Sequence, residues 1–270
     1  MDETRRRRPA FGRGTAPGGS AASRPAEQRW GLADAAAGFV AAQVLSLLVG
    51  AAVLGLLVVR GMPMGAGVAA ALDGHGRNLS ATLTVAGLAL LQVPLWATEV
   101  GTVWWAGQVR GTGVRKDFGF VVRPLDVVVG LVAGAATQLV VTVGYGIVEQ
   151  LTGWSASDQT ARQIAAKGDG WVGVMALLVL FAGVAPLVEE LFYRGLVQRS
   201  LERRFAPGWA LLIAAFAFAA IHLEPVLLPG LFVAGLVFGA FAQRTGRLGP
   251  AIFAHVGFNA STILVMALTR

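Results

Sequence analysis

Apolar runs of about 20 residues recur along this chain, parted by short connections that carry most of its charge. A hydrocarbon core about 30 Å thick is crossed by about 20 helical residues, so each run is a candidate span. The runs cover 35–59, 79–105, 125–147, 171–190, 208–223, 229–242 and 248–268. They predict an all-α, polytopic membrane helix bundle of about seven transmembrane helices. The sixth run is the shortest, which predicts a helix with little tilt or one set over a re-entrant segment. With 55% hydrophobic and 14% charged residues, against about 25% charged in soluble domains, the composition argues against a soluble fold.

The charges orient the bundle. With the N-terminus inside, sixteen Lys and Arg residues fall on the inner side and five on the outer, Arg194 being left out of both. That asymmetry predicts a cytoplasmic N-terminus. It also accounts for the net charge of +7 without nucleic acid, which is not expected as a partner. Residues 1–30 are rich in Arg, Pro, Gly and Ser and have no periodic apolar face. They read as a disordered basic cytoplasmic tail, followed by one integral membrane domain over 31–270. The absence of cysteine removes disulfides, Cys-type zinc sites and a thiol nucleophile. Abundant Ala, Gly, Val and Arg with almost no Lys points to a GC-rich bacterial genome, hence a bacterial cytoplasmic membrane. Gly130/Gly134 and Gly235/Gly239 are small pairs four apart, a spacing that lets helices approach closely in lipid.

Against this background Glu189 and Glu190 are costly. A carboxylate at the centre of a bilayer costs about 2.5–3.5 kcal/mol on insertion scales. Helical geometry sets Glu190 and Arg194 one turn apart on one face, so they can pair. Glu189 is rotated about 100° away and needs other surroundings. An interfacial Glu–Arg pair closing a span is the plain alternative.

Two further polar segments lie in later runs. Phe218-Ala-Ala-Ile-His222 ends the fifth, with Glu224 and Pro225 just beyond; its histidine would serve a site or simply meet interfacial water. His255-Val-Gly-Phe-Asn259 lies inside the seventh, with His255 and Asn259 stacked one turn apart. Such a pair usually points into the bundle, as chemistry or as inter-helix glue. Together, an acid, two imidazoles and an amide from three helices suit a hydrolytic site in a polar intramembrane cavity. Glu and His deprotonate water, and His and Asn stabilise a tetrahedral oxyanion. Glu189, His222 and His255 would alternatively hold a divalent metal such as zinc, because two His and a carboxylate plus water is a catalytic zinc set.

EELFYR (189–194), FAAIH (218–222) and HVGFN (255–259), in this order, resemble the E-E-x-x-x-R, F-x-x-x-H and H-x-x-x-N motifs of the CPBP intramembrane proteases. That family includes the type II CAAX prenyl endopeptidases and the bacterial Abi or bacteriocin-processing proteins. The resemblance covers about the last 100 residues, with the motifs inside 186–260. It implies an intramembrane endopeptidase in which Glu189 and His222 activate water and His255 and Asn259 form the oxyanion site. Glu190 and Arg194 would support them. It implies no obligatory cofactor, and a membrane-associated peptide or protein as substrate, with the lipid bilayer as surroundings. A non-catalytic membrane scaffold or immunity protein and a proton-coupled transporter are the competing classes. No H-E-x-x-H, no G-x-S-G-like nucleophile before an apolar-run histidine and no intramembrane aspartate pair supports another intramembrane protease.

Glu99, with Gln92 and Pro94 in the second run, would line the same cavity or pair with another helix. Trp96, Trp104, Trp105, Trp154, Trp171 and Trp209 read as an aromatic belt. Depth sets a further condition. His222 lies about 21 Å along its helix from 208, whereas Glu189 sits at the end of its run. For the two to meet, the fifth helix must start outside the hydrocarbon or tilt, or the fourth must run on; the second is expected, with a kink at Pro186 and continuation to about Arg203.

Overall fold

The computed structural model describes residues 29–60, 85–153 and 170–269. Every regular element among them is helical: α1 Leu32–Val59, α2 Val85–Gln108, α3 Val114–Asp117, α4 Pro124–Thr152, α5 Gly170–Glu202, α6 Pro207–Ala220, α7 Leu228–Thr245 and α8 Gly249–Leu268. Five of these, α1, α4, α5, α7 and α8, are long and apolar enough to cross a membrane. The all-helical fold fits an integral membrane protein, with five helices of spanning length among the described residues, and the expected count of seven is not confirmed. The two outside the set have physical reasons. Helix α6 has 14 residues, about 21 Å at 1.5 Å each, short of the hydrocarbon thickness. Helix α2 carries Gln92, Pro94, Thr98, Glu99 and Thr102 among its apolar residues.

The short helix is therefore the fifth run and not the sixth. Helix α7 continues past its apolar residues through Gln243, Arg244 and Thr245 and stops at Gly246, whose φ of +66° forms a left-handed cap. Helix α6 stops at Ala220, so His222 lies in the turn beyond it. Leu223 there has φ +54°, and Pro225 bars an early return to helix.

Helix α5 runs through the middle and touches α1, α2, α6, α7 and α8. As expected from the depth condition, it passes the acid pair and reaches Glu202. Two stretches of it, Leu178–Val184 and Glu190–Gln198, are π-helical, with an α-helical segment Ala185–Glu189 between them. Pro186 explains the first stretch. In an α-helix its ring would press on the carbonyl four residues back, that of Ala182, and widening the turn relieves the clash.

Small residues set the packing around α5. A Cβ at Gly134 of α4 would run into the Ala254 carbonyl of α8, and one at Gly257 of α8 would run into the Leu131 carbonyl. Helices α4 and α8 thus meet backbone to backbone, which faces His255 toward α5. Gly235 lies against Ala215, and Gly239 against Leu211 and Gln198, bringing α7 onto α6 and α5. Both predicted small-residue pairs are used this way. Helix α8 starts inside the protein, with Gly249 and Pro250 buried and the Leu248 and Gly249 N–H groups donating to Gly119 and Val121 carbonyls. Nearby Arg247 grips Asp126 of α4 at 2.7 Å, and that hydrogen bond pushes the Arg247 guanidinium above its ordinary value.

Polarity is inverted relative to a soluble protein. Val128, Val132, Leu139 and Leu151 of α4 are exposed, as are Leu47 and Leu48 of α1. Glu99, Glu190, Arg194, Gln198 and His255 are buried. Trp104, Trp105, Trp171 and Trp209 are exposed as a belt requires, but Trp96 is buried against Ala185 and Val188 and does not belong to it. Trp154 lies outside the described residues. The tail reading falls on residues 1–28, also outside them. Its last two residues are held: the Arg29 N–H donates to the Arg110 carbonyl, and Trp30 is buried beneath the Arg203 guanidinium, 3.6 Å from its ring.

Candidate functional site

The site is built on the π-helical turn that begins at Glu190. Glu190 is fully buried, and its Oε1 meets Arg194 Nη1 at 3.0 Å, the i,i+4 pair expected from the sequence. The contact is close in charge but poorly directed as a hydrogen bond, since Nη1 aims at no acceptor. Arg194 spans the bundle core. Its guanidinium lies 4.2 Å over the Phe218 ring and 5.4 Å from that of Phe238, and Nη2 reaches the Gly235 carbonyl at 3.4 Å. A desolvated cation on an aromatic face contributes about 2 kcal/mol.

The same Glu190 Oε1 lies 3.0 Å from His255 Nδ1. A carboxylate only accepts, so Nδ1 carries the proton and Nε2 is left for the site. The imidazole is clamped by rings as well, stacked on Phe238 at 4.7 Å and edge-on to Phe218 at 5.5 Å. Its Nε2 lies 3.8 Å from Glu189 Oε2. That is too long for a direct hydrogen bond and leaves room for a shared third atom. Glu189 is partly exposed whereas Glu190 is not. The two acids therefore have unequal surroundings, as their rotation about the helix predicts.

His222 joins from the turn after α6. Its Nδ1 donates to the Phe218 carbonyl at 2.8 Å, since that oxygen only accepts, and this frees Nε2 as an acceptor. Its ring lies edge-on to Phe218 at 5.1 Å. Both imidazoles thus border one phenyl ring, and the turn after Ala220 brings His222 toward solvent.

Asn259 is placed differently from His255, although they share a face. Its Nδ2 donates to the Phe181 carbonyl at 2.7 Å, in the first π-helical stretch of α5. One of its two amide hydrogens is spent there and the other is unassigned.

Helix α2 adds a residue to which the motifs give little weight. Glu99 is 2% exposed, its Oε2 has no hydrogen-bond partner among the described residues, and it is within electrostatic reach of Glu189 and Tyr193. Among the described residues, no group of three or more His, Cys, Asp or Glu side chains is arranged to hold a metal ion. The roles of Phe218 and Phe238 as a platform, and of the Phe181 carbonyl as an anchor, have no signal in the sequence beyond the first letter of F-x-x-x-H.

Residues 171–261 match the family model described as Type II CAAX prenyl endopeptidase Rce1-like. The match runs from the start of α5 into α8 and contains all seven motif residues. It bears out the resemblance drawn from the motifs: this part of the chain is similar to the Rce1-like type II CAAX prenyl endopeptidases. Neither the curated proteins nor the solved structures gave a match.

Proposed function

We propose, from the premise that residues 171–261 form an Rce1-like type II CAAX prenyl endopeptidase domain, that the protein hydrolyses a peptide bond of a membrane-associated peptide or protein with water activated by Glu189 and His222. The observation that carries this reading is the 3.8 Å gap between Glu189 Oε2 and His255 Nε2, with Glu190 holding the far side of the imidazole. A water or carbonyl oxygen fits within hydrogen-bonding distance of both atoms.

In the first step Glu189 takes a proton from water, and the oxygen bonds to the scissile carbonyl carbon. The carbonyl electron pair moves onto its oxygen, which accepts hydrogen bonds from His255 and Asn259. Because Nδ1–H is already given to Glu190, His255 donates through Nε2 as the imidazolium. Before the step Glu189, Glu190, Arg194 and that imidazolium sum to zero charge, and after it the oxyanion replaces the charge that Glu189 has lost, which suits a buried cluster. Collapse breaks the C–N bond, and the proton held at Glu189 passes to the leaving amine. His222, with Nε2 unprotonated, assists removal of the water proton. One water is consumed, and one carboxylate and one amine are released.

Glu190 and Arg194 act by orientation. The charge asymmetry of the connections supports a cytoplasmic N-terminus, and a bacterial cytoplasmic membrane is the expected setting. The test is cleavage of membrane peptides, prenylated and unprenylated, by wild type and Glu189→Ala purified in detergent. Loss of cleavage in the variant is expected, and equal cleavage overturns the assignment. A chelator arm is expected to leave activity intact. Loss that zinc restores would move the attacking water onto a metal.

A further inference from the structure

The Asn259 contact has a cause in the backbone of α5. In the stretch Leu178–Val184 the ladder runs from carbonyl i to N–H i+5, and its last bond takes the Ala185 N–H to the Leu180 carbonyl. The next bond in that register would join the Phe181 carbonyl to residue 186. Residue 186 is proline and has no N–H. The Ala185 N–H is already spent, so the Phe181 carbonyl has lost both its π and its α partner. A carbonyl inside a bundle needs a donor, and the Asn259 amide supplies it at 2.7 Å.

We propose that Pro186 is a positioning residue for Asn259: by withholding one backbone donor, it reserves the Phe181 carbonyl for the side-chain amide and so fixes which end of that amide faces the reacting carbonyl oxygen. The chemistry of the anchor is selective. A primary amide presents N–H on one side and oxygen on the other, and rotation about χ2 exchanges them. A carbonyl accepts only, so it holds the nitrogen and rejects the flipped state, in which two oxygens would face each other. One N–H is consumed and the second has a fixed direction. An oxyanion site needs such a preset donor, because an amide free to flip would offer its own oxygen part of the time. Pro186, buried three residues before Glu189, thus serves two ends of the site. It widens the helix beneath the acid pair and sets an amide on another helix, 73 residues away in sequence.

This inference rests on the reading of Asn259 as an oxyanion donor, and the experiment separates the two. Pro186→Ala, Asn259→Ala and the double variant are compared in the full-length protein in detergent. Pro186→Ala returns an N–H to the Phe181 carbonyl and is expected to lower kcat about tenfold, with KM within about twofold and the melting temperature not reduced. In the Asn259→Ala background the same change is expected to have no further effect, because the group it positions is gone. Losses that multiply in the double variant, or a wild-type kcat for Pro186→Ala beside an impaired Asn259→Ala, overturn the proposal for Pro186 alone. A wild-type kcat for Asn259→Ala overturns the oxyanion reading and this inference with it.

A spectroscopic arm needs no variant to fold. The chain has two asparagines, Asn78 and Asn259, so asparagine-selective 15N labelling yields two side-chain NH2 pairs. One pair is expected to be widely split, with one anchored proton. Two pairs with the narrow splitting of a solvated amide overturn the anchor.

Discussion

One oxygen of Glu190 serves two partners: Oε1 is 3.0 Å from Arg194 Nη1 and 3.0 Å from His255 Nδ1. The acid is thus the joint between a buried cation on its own helix and an imidazole 65 residues away. This division of labour between neighbouring acids predicts different phenotypes. Glu190→Gln leaves Arg194 as an uncompensated buried charge and removes the negative charge beside the His255 Nδ1–H, so stability and catalysis fall together. Breaking a buried pair costs about 3–5 kcal/mol. Glu189→Gln touches neither link and is expected to lower kcat by about 10² or more while leaving the melt nearly unchanged. Thermal unfolding in detergent beside cleavage kinetics checks the contrast. Equal melts for the two variants would contradict it.

Arg194 offers a prediction about shape. Its planar guanidinium lies on Phe218 while meeting Glu190 and the Gly235 carbonyl. A lysine carries the same charge but not the fork or the flat face. Arg194→Lys is therefore expected to lose about 1–3 kcal/mol of stability and to reduce cleavage, while Arg194→Ala loses more. A Lys variant with the wild-type midpoint would show that charge alone is required.

How much of this could be read in the sequence follows from the range of each interaction. The Glu190–Arg194 pair is local, so i,i+4 spacing sufficed to expect it. The six polar motif residues were marked by the cost of polar groups in apolar runs, and five of them, Glu189, Glu190, Arg194, His222 and His255, border one another or the Phe218 ring. The continuation of α5 to Glu202 was legible from depth alone. The Glu190–His255 and Asn259–Phe181 contacts join residues on different helices, and periodicity carries no information about such pairs. The π-helical stretches were hidden for another reason. Pro186 announces a disturbance, but whether it is absorbed as a kink or as a widened turn depends on what the neighbouring helices can accept. Counting apolar residues also misjudged α6 and α7, because a helix ends at its cap, here Gly246, and not where its hydrophobicity ends.

Glu99 supplies the last prediction. It sits on α2 at 2% exposure with one oxygen unpartnered among the described residues, beside Glu189 and Tyr193. Burying an unsatisfied carboxyl opposes folding, and an apolar residue of similar size usually packs there at lower cost. If Glu99 were glue between helices, its removal would destabilise the bundle. Lacking a partner for Oε2, it is placed instead as a group that the fold tolerates for the sake of the neighbouring site. Glu99→Leu is therefore expected to raise the melting temperature by a few degrees while reducing cleavage, the trade of stability against activity typical of functional positions. The unfolding midpoint of Glu99→Leu, measured beside kcat on one peptide, decides it. A lowered midpoint would make Glu99 structural, and an unchanged kcat would remove it from the site.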